Sequence, residues 1–194
     1  DLFIMLNYII SIQENLKLKN IKLRLTDAQI IVLYFMSKSL IIIPSRLKAL
    51  RLPGKPLKMI NNLPMIIQVY RKAVEANVGE VIIASPDKEI INVGKKFSCN
   101  TILTKDTYKT GTDRVFAAYK NIKDKNIDQI INLQGDMPNI NPKNIKVLDN
   151  LIRQKNIKIG TLASSLLKEE LHKKSVVKVL TKEALNNKNF LKVK

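Results

Sequence analysis

Residues 44–57, PSRLKALRLPGKPL, combine several cationic side chains with a stiffened backbone, and we call this segment the basic loop. The apolar run at 40–43 precedes it, so the loop begins where a predicted strand ends. Its three prolines restrict the backbone, and Gly54 allows backbone amides to approach a ligand closely. Guanidinium and ammonium groups held on such a loop suit a polyphosphate, and these groups belong to Arg46, Arg51 and Lys55.

A second segment with chemical potential is TGTDR at 110–114. Gly111 bends the chain there, and Thr112 is placed to cap the helix that follows. Arg114 falls in the first turn of that helix, where a cation opposes the helix dipole. Its position therefore indicates an anionic partner such as a phosphate, whereas a purely structural cap explains Thr112.

The third segment is LQGDMP at 133–138, which follows another apolar run. Gly135 turns the chain, and Asp136 then projects from the end of the strand with Gln134 beside it. A carboxylate that faces a basic phosphate loop is the arrangement expected for Mg²⁺ bridging to phosphate oxygens. Asp is common in turns, so this interpretation depends on the three segments lying together.

The elements between these segments alternate between short apolar runs and amphipathic helical patterns. This alternation predicts an α/β fold with a mainly parallel sheet and helices on both of its faces. Ligands of such sheets bind beyond the carboxyl ends of the strands, and each of the three segments follows a strand or lies on that rim. The predicted strands are 40–43, 80–84, 100–104, 128–134, 159–164 and 176–180. The predicted helices are 64–77, 87–97, 112–122 and 141–154, the last with Asn141 as N-cap and Pro142 as its first residue.

The composition is strongly basic, with a net charge of +18 and a pI near 10.0. The lysines are nevertheless spread along the whole chain, and only 5% of the residues are aromatic. The sequence therefore provides few side chains for stacking on bases, and we expect solvated charge rather than nucleic-acid binding.

The nucleophile and targeting signals are equally limited. Cys99 is the only cysteine and His172 the only histidine, which leaves no support for a disulfide framework or for a Cys–His or Ser–His–Asp mechanism. The apolar stretches at 2–10 and 30–36 are shorter than a bilayer span, and neither has the layout of a signal peptide. We expect a protein of the reducing cytoplasm that does not bind membranes.

The words IIIPSR…RLPGKPL, GTDR and INLQGDMP, in this order and spacing, resemble the 3-deoxy-manno-octulosonate (Kdo) cytidylyltransferases, the CMP-Kdo synthetases. The resemblance extends from about residue 36 to residue 179. It implies a Rossmann-like nucleotidyltransferase domain, the substrates CTP and Kdo, the products CMP-Kdo and pyrophosphate, a Mg²⁺ cofactor, a role in lipopolysaccharide synthesis and a homodimer in the intact family.

The resemblance also implies roles for individual residues. Arg46 and Lys55 would hold the triphosphate, Asp136 would ligate Mg²⁺, and these three are the expected catalytic residues. Gln134 would reach toward the sugar acid. The expected nucleotide-binding residues are Pro44, Ser45, Arg46, Arg51, Gly54, Lys55, Gly111, Arg114 and Gly135. The sequence departs from the family pattern in having Ala49 and Leu50 in place of Ser-Thr, and Pro86 where the family often has Asp.

Two parts of the chain are expected, with a helical extension at 1–35 and an incomplete cytidylyltransferase domain at 36–194. The family continues beyond the point that corresponds to Lys194, so we expect weak Mg²⁺-dependent CTP binding and impaired turnover. A non-catalytic nucleotide-binding protein and a basic regulator that binds nucleic acid remain the alternatives.

Overall fold

The structure, a computed structural model, describes residues 38–48, 52–123, 127–155 and 158–179. Its strands are β1 (Lys38–Pro44), β2 (Met59–Ile60), β3 (Leu63–Pro64), β4 (Gly79–Ser85), β5 (Thr101–Leu103) and β6 (Ile127–Asn132). Its helices are α1 (Met65–Glu75), α2 (Lys88–Lys96), α3 (Gly111–Lys120) and α4 (Pro142–Lys155). Short 3₁₀ helices cover Lys55–Leu57 and Lys168–Glu170. Each of the four predicted helices and the first four predicted strands is confirmed.

The main sheet has the order β5-β4-β1-β6, and all of its strand pairs are parallel. β1 lies at the centre, where Ile41 stands opposite Val81 on one neighbour and Ile131 on the other. A separate antiparallel hairpin, β2-β3, leads into α1. The carboxyl ends of the four parallel strands therefore form one edge, from which the loops after β1, β4, β5 and β6 emerge.

Both faces of β1 are buried, which explains its unbroken apolar sequence. Ile41 and Ile43 pack on the face covered by α1, α2 and α4, while Leu40 and Ile42 pack on the face covered by α3. Successive side chains of a strand point to opposite faces, so this single run contributes to both cores. The predicted α/β fold with helices on both faces of a mainly parallel sheet is thus confirmed.

Two predicted strands are wrong within the described residues. Residues 159–164 and 176–179 have no strand structure, and residue 180 lies outside the described ranges. Ile159 is 88% exposed and Val177 is 91% exposed. A short apolar run becomes a strand only where a neighbouring edge accepts its hydrogen bonds, and neither run lies against such an edge. The predicted extension at 1–35 also falls outside the described residues.

A buried polar cluster joins α4 to the amino end of the sheet. Asp149 of α4 accepts hydrogen bonds from the hydroxyl of Ser39 on β1 and from the side-chain amide of Gln129 on β6. Arg153, one turn later, lies 3.1 Å from Asp149 through its Nε. Ser39 is 1% exposed and Asp149 5% exposed, so the cluster satisfies polar groups that would otherwise be buried without partners. This cluster lies at the edge opposite the three predicted site segments and holds α4 in position on the sheet.

The start of α4 follows the sequence prediction. The N–H of Lys143 donates to Oδ1 of Asn141 at 3.0 Å, and Pro142 is the first helical residue. None of the helices in the described ranges has the length and apolar character needed to cross a membrane.

Candidate functional site

The three predicted segments meet at Pro44, the last residue of β1. A Cβ atom built on Gly111 would lie 3.4 Å from Cγ of Pro44 and 3.6 Å from Oε1 of Gln134. A Cβ atom built on Gly135 would lie 2.9 Å from the carbonyl oxygen of Pro44. The sequence prediction that these segments share one edge of the sheet therefore agrees with the geometry.

Gly135 is required by this close approach. A separation of 2.9 Å between a Cβ atom and a backbone oxygen is too short, and the neighbouring backbone cannot move without disturbing the end of β1. The absence of a side chain at Gly135 lets the loop after β6 pass directly over β1. Asp136 follows Gly135 directly and therefore lies near the carboxyl end of β1.

Gly54 has a different role in the basic loop. Its φ of 69° is left-handed, a conformation that glycine adopts without a steric penalty. Its N–H donates to the carbonyl of Leu47 at 3.1 Å, which folds the loop back on its own beginning. The short helix Lys55–Leu57 starts immediately afterwards, and its buried Pro56 anchors it.

This fold-back brings Lys55 to Asp136. Nζ of Lys55 lies 2.9 Å from Oδ2 of Asp136, and the two side chains are 37% and 54% exposed. The ion pair joins the basic loop to the loop after β6. The predicted roles of Lys55 in phosphate binding and of Asp136 in metal binding stay predictions. Because both groups remain accessible to solvent, each can exchange its partner for a ligand group.

Ser45 and Arg46 complete the described beginning of the basic loop. Ser45 is buried, and its N–H donates to the carbonyl of Ala84 at 3.0 Å. Its hydroxyl is buried and has no hydrogen-bond partner among the described residues. Arg46 is exposed. Arg51, which was also predicted to bind the nucleotide, lies outside the described residues.

The helix α3 starts with a capping box that differs from the prediction. Thr110 is the N-cap: its hydroxyl accepts the N–H of Asp113 at 3.1 Å, and the carboxylate of Asp113 accepts the N–H of Thr110 at 3.1 Å. The prediction of Thr112 as the cap is wrong, because the helix already begins at Gly111. Two matched residues three apart, a Thr followed by an Asp, were the available signal in the sequence. Thr112 instead accepts a hydrogen bond from the side chain of Asn132 at 3.3 Å.

Arg114 is buried, with 2% of its surface exposed. Its Nη1 donates to Oγ1 of Thr104 and, at 3.0 Å, to the carbonyl of Lys105. The guanidinium carbon lies 5.8 Å from the centre of the Tyr108 ring. Arg114 thus ties α3 to the loop after β5.

Burial lowers the pKa of Arg114, while the carboxylate of Asp106 opposes this shift and the charge of Arg46 adds to it. The predicted contact between Arg114 and a phosphate stays a prediction.

Gln134 and Asp136 are both exposed on the loop after β6. The amide of Gln134 donates to Oδ1 of Asn132 at 3.2 Å, so its side chain lies along the end of the strand. Among the described residues no three His, Cys, Asp or Glu side chains form a group that could hold a metal ion. A cation here would rely on Asp136, phosphate oxygens and water, which is a donor set that suits Mg²⁺.

One residue at the site was missed from the sequence. Oδ2 of Asp87, which follows β4, accepts a hydrogen bond of 2.6 Å from the backbone N–H of Leu47 in the basic loop. The signal was present, since Asp87 stands one position after Pro86, where the family pattern often has its own acid.

Comparison with known proteins gives the family. The family model described as "Cytidylyltransferase" matches residues 40–192. The chain belongs to the cytidylyltransferase family. All three site segments lie inside the matched region. The expected resemblance is confirmed.

Curated relatives of this family have the name expected from the motifs. A 3-deoxy-manno-octulosonate cytidylyltransferase of Rhodopseudomonas palustris is 38% identical over 146 residues, which is 74% of this chain and 60% of that protein. Another from Rhizobium etli is 36% identical over 132 residues, which is 68% of this chain and 53% of that protein. The chain therefore spans between 53% and 60% of the length of these cytidylyltransferases.

Solved structures of cytidylyltransferases share the fold. A CMP:2-keto-3-deoxy-manno-octonic acid synthetase complexed with CTP matches with a TM-score of 0.58 and 37% identity over 62% of this chain and 49% of that one. A cytidylyltransferase of Leptospira borgpetersenii matches with a TM-score of 0.53 at 22% identity, over 61% of this chain and 50% of that one. The second likeness supports the architecture alone.

Proposed function

We propose that this chain binds CTP with Mg²⁺ at the carboxyl edge of its sheet and transfers the cytidylyl group to Kdo, releasing pyrophosphate. The observation that supports this most directly is the ion pair between Lys55 and Asp136, because it joins a phosphate-binding group and a metal-binding group at 2.9 Å. The names of the relatives at 36–38% identity support the choice of CTP and Kdo.

The basic loop supplies the charge that a triphosphate needs. Lys55 and Arg46 bind the phosphate oxygens, and the fold-back from Gly54 to Leu47 places the lysine before the ligand arrives. A preorganised cation stabilises the charge that develops on the leaving pyrophosphate without reorganisation during the reaction.

Asp136 holds Mg²⁺ in this proposal. The bound ion supplies neutralisation of the phosphate charge and polarisation of the α-phosphoryl group. Asp136 would hold the ion near the carboxyl end of β1, where Gly135 allows the loop after β6 to approach Pro44. Lys55 then transfers its contact from the carboxylate to a phosphate oxygen.

The acceptor hydroxyl of the sugar acid attacks the α-phosphorus in line. The bond between that oxygen and phosphorus forms, the bond from phosphorus to the bridging oxygen of pyrophosphate breaks, and the hydroxyl proton is lost to water. Gln134, exposed beside the site, orients the sugar acid through its amide. The protein acts by positioning and by charge neutralisation.

In this proposal, the reaction activates the sugar acid for lipopolysaccharide synthesis. The single cysteine of the sequence supports the reducing cytoplasm as the compartment. CTP and Kdo are the small-molecule partners.

The test is a pyrophosphate-release assay with CTP, Kdo and Mg²⁺, run beside calorimetric titration of CTP. Release that requires Kdo and is absent with UTP or ATP would support the proposal. Mg²⁺-dependent CTP binding without release would indicate a nucleotide-binding protein that does not catalyse the transfer. Failure to bind CTP, with DNA retention that falls steeply with salt, would overturn the proposal in favour of a nucleic-acid-binding role.

A further inference from the structure

Asp87 occupies the N-cap position of α2, but its side chain makes no capping hydrogen bond to that helix. Aspartate is among the best N-cap residues because its carboxylate normally accepts an N–H of the first turn. Here Oδ2 accepts the N–H of Leu47, 40 residues earlier in the chain, at 2.6 Å. The carboxylate has therefore been directed to the basic loop rather than to its own helix.

This bond continues the pairing of β1 and β4 past the end of the sheet. The N–H of Ser45 donates to the carbonyl of Ala84, and the N–H of Leu47, two residues on, donates to Asp87. β4 ends at Ser85, so the carboxylate of Asp87, rather than a strand carbonyl, accepts this N–H of the basic loop. Arg46 lies between two fixed residues, which restricts its backbone on both sides.

Leu47 passes the restraint to the second half of the basic loop. Its carbonyl accepts the N–H of Gly54 at 3.1 Å, and Lys55 follows Gly54 directly. Lys55 in turn contacts Asp136 at 2.9 Å. Two hydrogen bonds and the short backbone stretches that follow them therefore connect Asp87 to the ion pair of the site.

Asp87 is itself held in place. Its N–H donates to Oγ of Ser85 at 3.1 Å, and Ser85 is fully buried at the end of β4. Its carbonyl accepts the N–H of Ile91 at 3.2 Å, which starts α2. Because the backbone N–H and the carbonyl of Asp87 are both hydrogen-bonded, its side chain can hold the loop with little loss of entropy. A charged acceptor also strengthens the hydrogen bond from Leu47.

We propose that Asp87 is a positioning residue for phosphate binding, which sets the geometry of Arg46 and Lys55 through the backbone of Leu47. This inference rests on the proposed function, because it assigns the ligand's phosphate groups to the same site. The ligand chemistry that depends on Asp87 is a polyphosphate, while the nucleoside end of the ligand does not depend on it.

Two substitutions separate this role from a helix cap. Asp87→Ser keeps a good N-cap residue but is too short to reach Leu47, so α2 is preserved and the link is lost. Asp87→Asn keeps an acceptor oxygen at the same reach. Glu89→Ala, an exposed acid in the first turn of the same helix, controls for the change in charge.

The first measurement is hydrogen exchange at the amides of Leu47 and Gly54 in the ligand-free protein. We expect exchange at least about tenfold faster in Asp87→Ser, and within about threefold of wild type in Asp87→Asn and Glu89→Ala, because a lost hydrogen bond opens the loop locally. Unchanged exchange in Asp87→Ser would overturn the proposal without any reference to ligand.

The second measurement is calorimetric titration with CTP, with cytidine and with inorganic tripolyphosphate, each with Mg²⁺. Asp87→Ser should weaken CTP and tripolyphosphate by about tenfold or more and leave cytidine unchanged, while Asp87→Asn should stay within about threefold for all three. Equal losses for CTP and cytidine would indicate a merely structural effect and would overturn the proposal. Unchanged CTP affinity despite faster exchange would overturn it as well.

The failure of the proposed function gives a different pattern. If wild type binds tripolyphosphate but releases no more pyrophosphate with CTP than with UTP or ATP, the cytidylyl assignment fails. The role of Asp87 is then still decided by the tripolyphosphate series. If wild type binds neither CTP nor tripolyphosphate, both proposals are overturned.

Discussion

Nζ of Lys55 lies 2.9 Å from Oδ2 of Asp136, although 81 residues separate the two in sequence. The pair links the loops after β1 and β6, which are neighbouring strands of the sheet. Both side chains are partly exposed, so the pair contributes little to folding stability, by general experience about 0–1 kcal/mol. In the proposed function, Lys55 exchanges this contact for a phosphate oxygen and Asp136 exchanges it for Mg²⁺.

The first prediction concerns the cations of the basic loop. CTP with Mg²⁺ at about 100 times its Kd should raise the Tm of the wild-type protein by roughly 5–10 °C, because the ligand binds only the native state. Lys55→Ala and Arg46→Ala should each remove most of that shift. Lys58→Ala, an exposed lysine three residues from Lys55, is the matched control and should retain it. An undiminished shift in both site variants would contradict the assignment.

The second prediction concerns Asp136. Asp136→Asn keeps the shape of the side chain but removes the charge, so CTP affinity should lose most of its dependence on Mg²⁺. Calorimetric titration with and without Mg²⁺ measures this dependence. Asp128→Asn, an exposed acid on β6, should behave as wild type. Equal Mg²⁺ dependence in wild type and Asp136→Asn would rule out this carboxylate as the ligand.

The third prediction compares two glycines around Pro44. Gly135→Ala should lower the free energy of unfolding by about 1–3 kcal/mol, because its Cβ would lie 2.9 Å from a backbone oxygen. Gly111→Ala has its nearest contact at 3.4 Å and lies in a helix, so it should change stability by about 0.5 kcal/mol or less. Urea denaturation of both variants provides the measurement. Similar losses in the two variants would refute the close-approach explanation.

The fourth prediction concerns the thiol of Cys99. The residue is 7% exposed, and burial raises the pKa of its thiol above the ordinary value of 9.0, with a smaller opposing effect from Arg71. Reaction with a disulfide reagent at pH 8 should be at least about tenfold slower in the native protein than in urea. A reaction rate in the native protein equal to the rate in urea would show that Cys99 is not buried in the hydrophobic core.

The same shift has a defined sign for stability. The folded state favours the protonated thiol. The contribution of Cys99 to the free energy of unfolding is therefore fully present at a pH below the pKa of the thiol in the unfolded chain, and it is lost as the pH rises through the pKa of the thiol in the folded protein. The stability difference between wild type and Cys99→Ala should therefore shrink above about pH 9. Denaturation curves of the two proteins at pH 8 and pH 10 test this.

Local sequence patterns were sufficient for the elements around the site. The run at 40–43 was identified as a strand because four consecutive apolar residues suit a strand buried on both faces. Asn141 and Pro142 fixed the start of α4 through cap chemistry that involves neighbouring residues only. The meeting of the three segments also followed from topology, since parallel strands present their carboxyl ends at one edge.

Long-range contacts could not be obtained in this way. The bond from Leu47 to Asp87 connects residues 40 apart, and neither residue has a local pattern that names its partner. The burial of Arg114 beside Thr104 and Tyr108 likewise depends on how α3 packs against the loop after β5. The prediction of a strand at 159–164 was wrong for the same reason, because a strand forms only beside a neighbouring strand.

The buried cluster at the other edge of the sheet has a consequence for folding kinetics. Ser39 and Asp149 are 110 residues apart, and Ser39 lies on β1, which pairs with both β4 and β6. Closing contacts over such separations is slow, so α4 should dock late, after a nucleus formed by β1, β4 and α1. Asp149→Ala removes the carboxylate and should then accelerate unfolding far more than it slows refolding. The φ-value of this substitution should therefore be near zero.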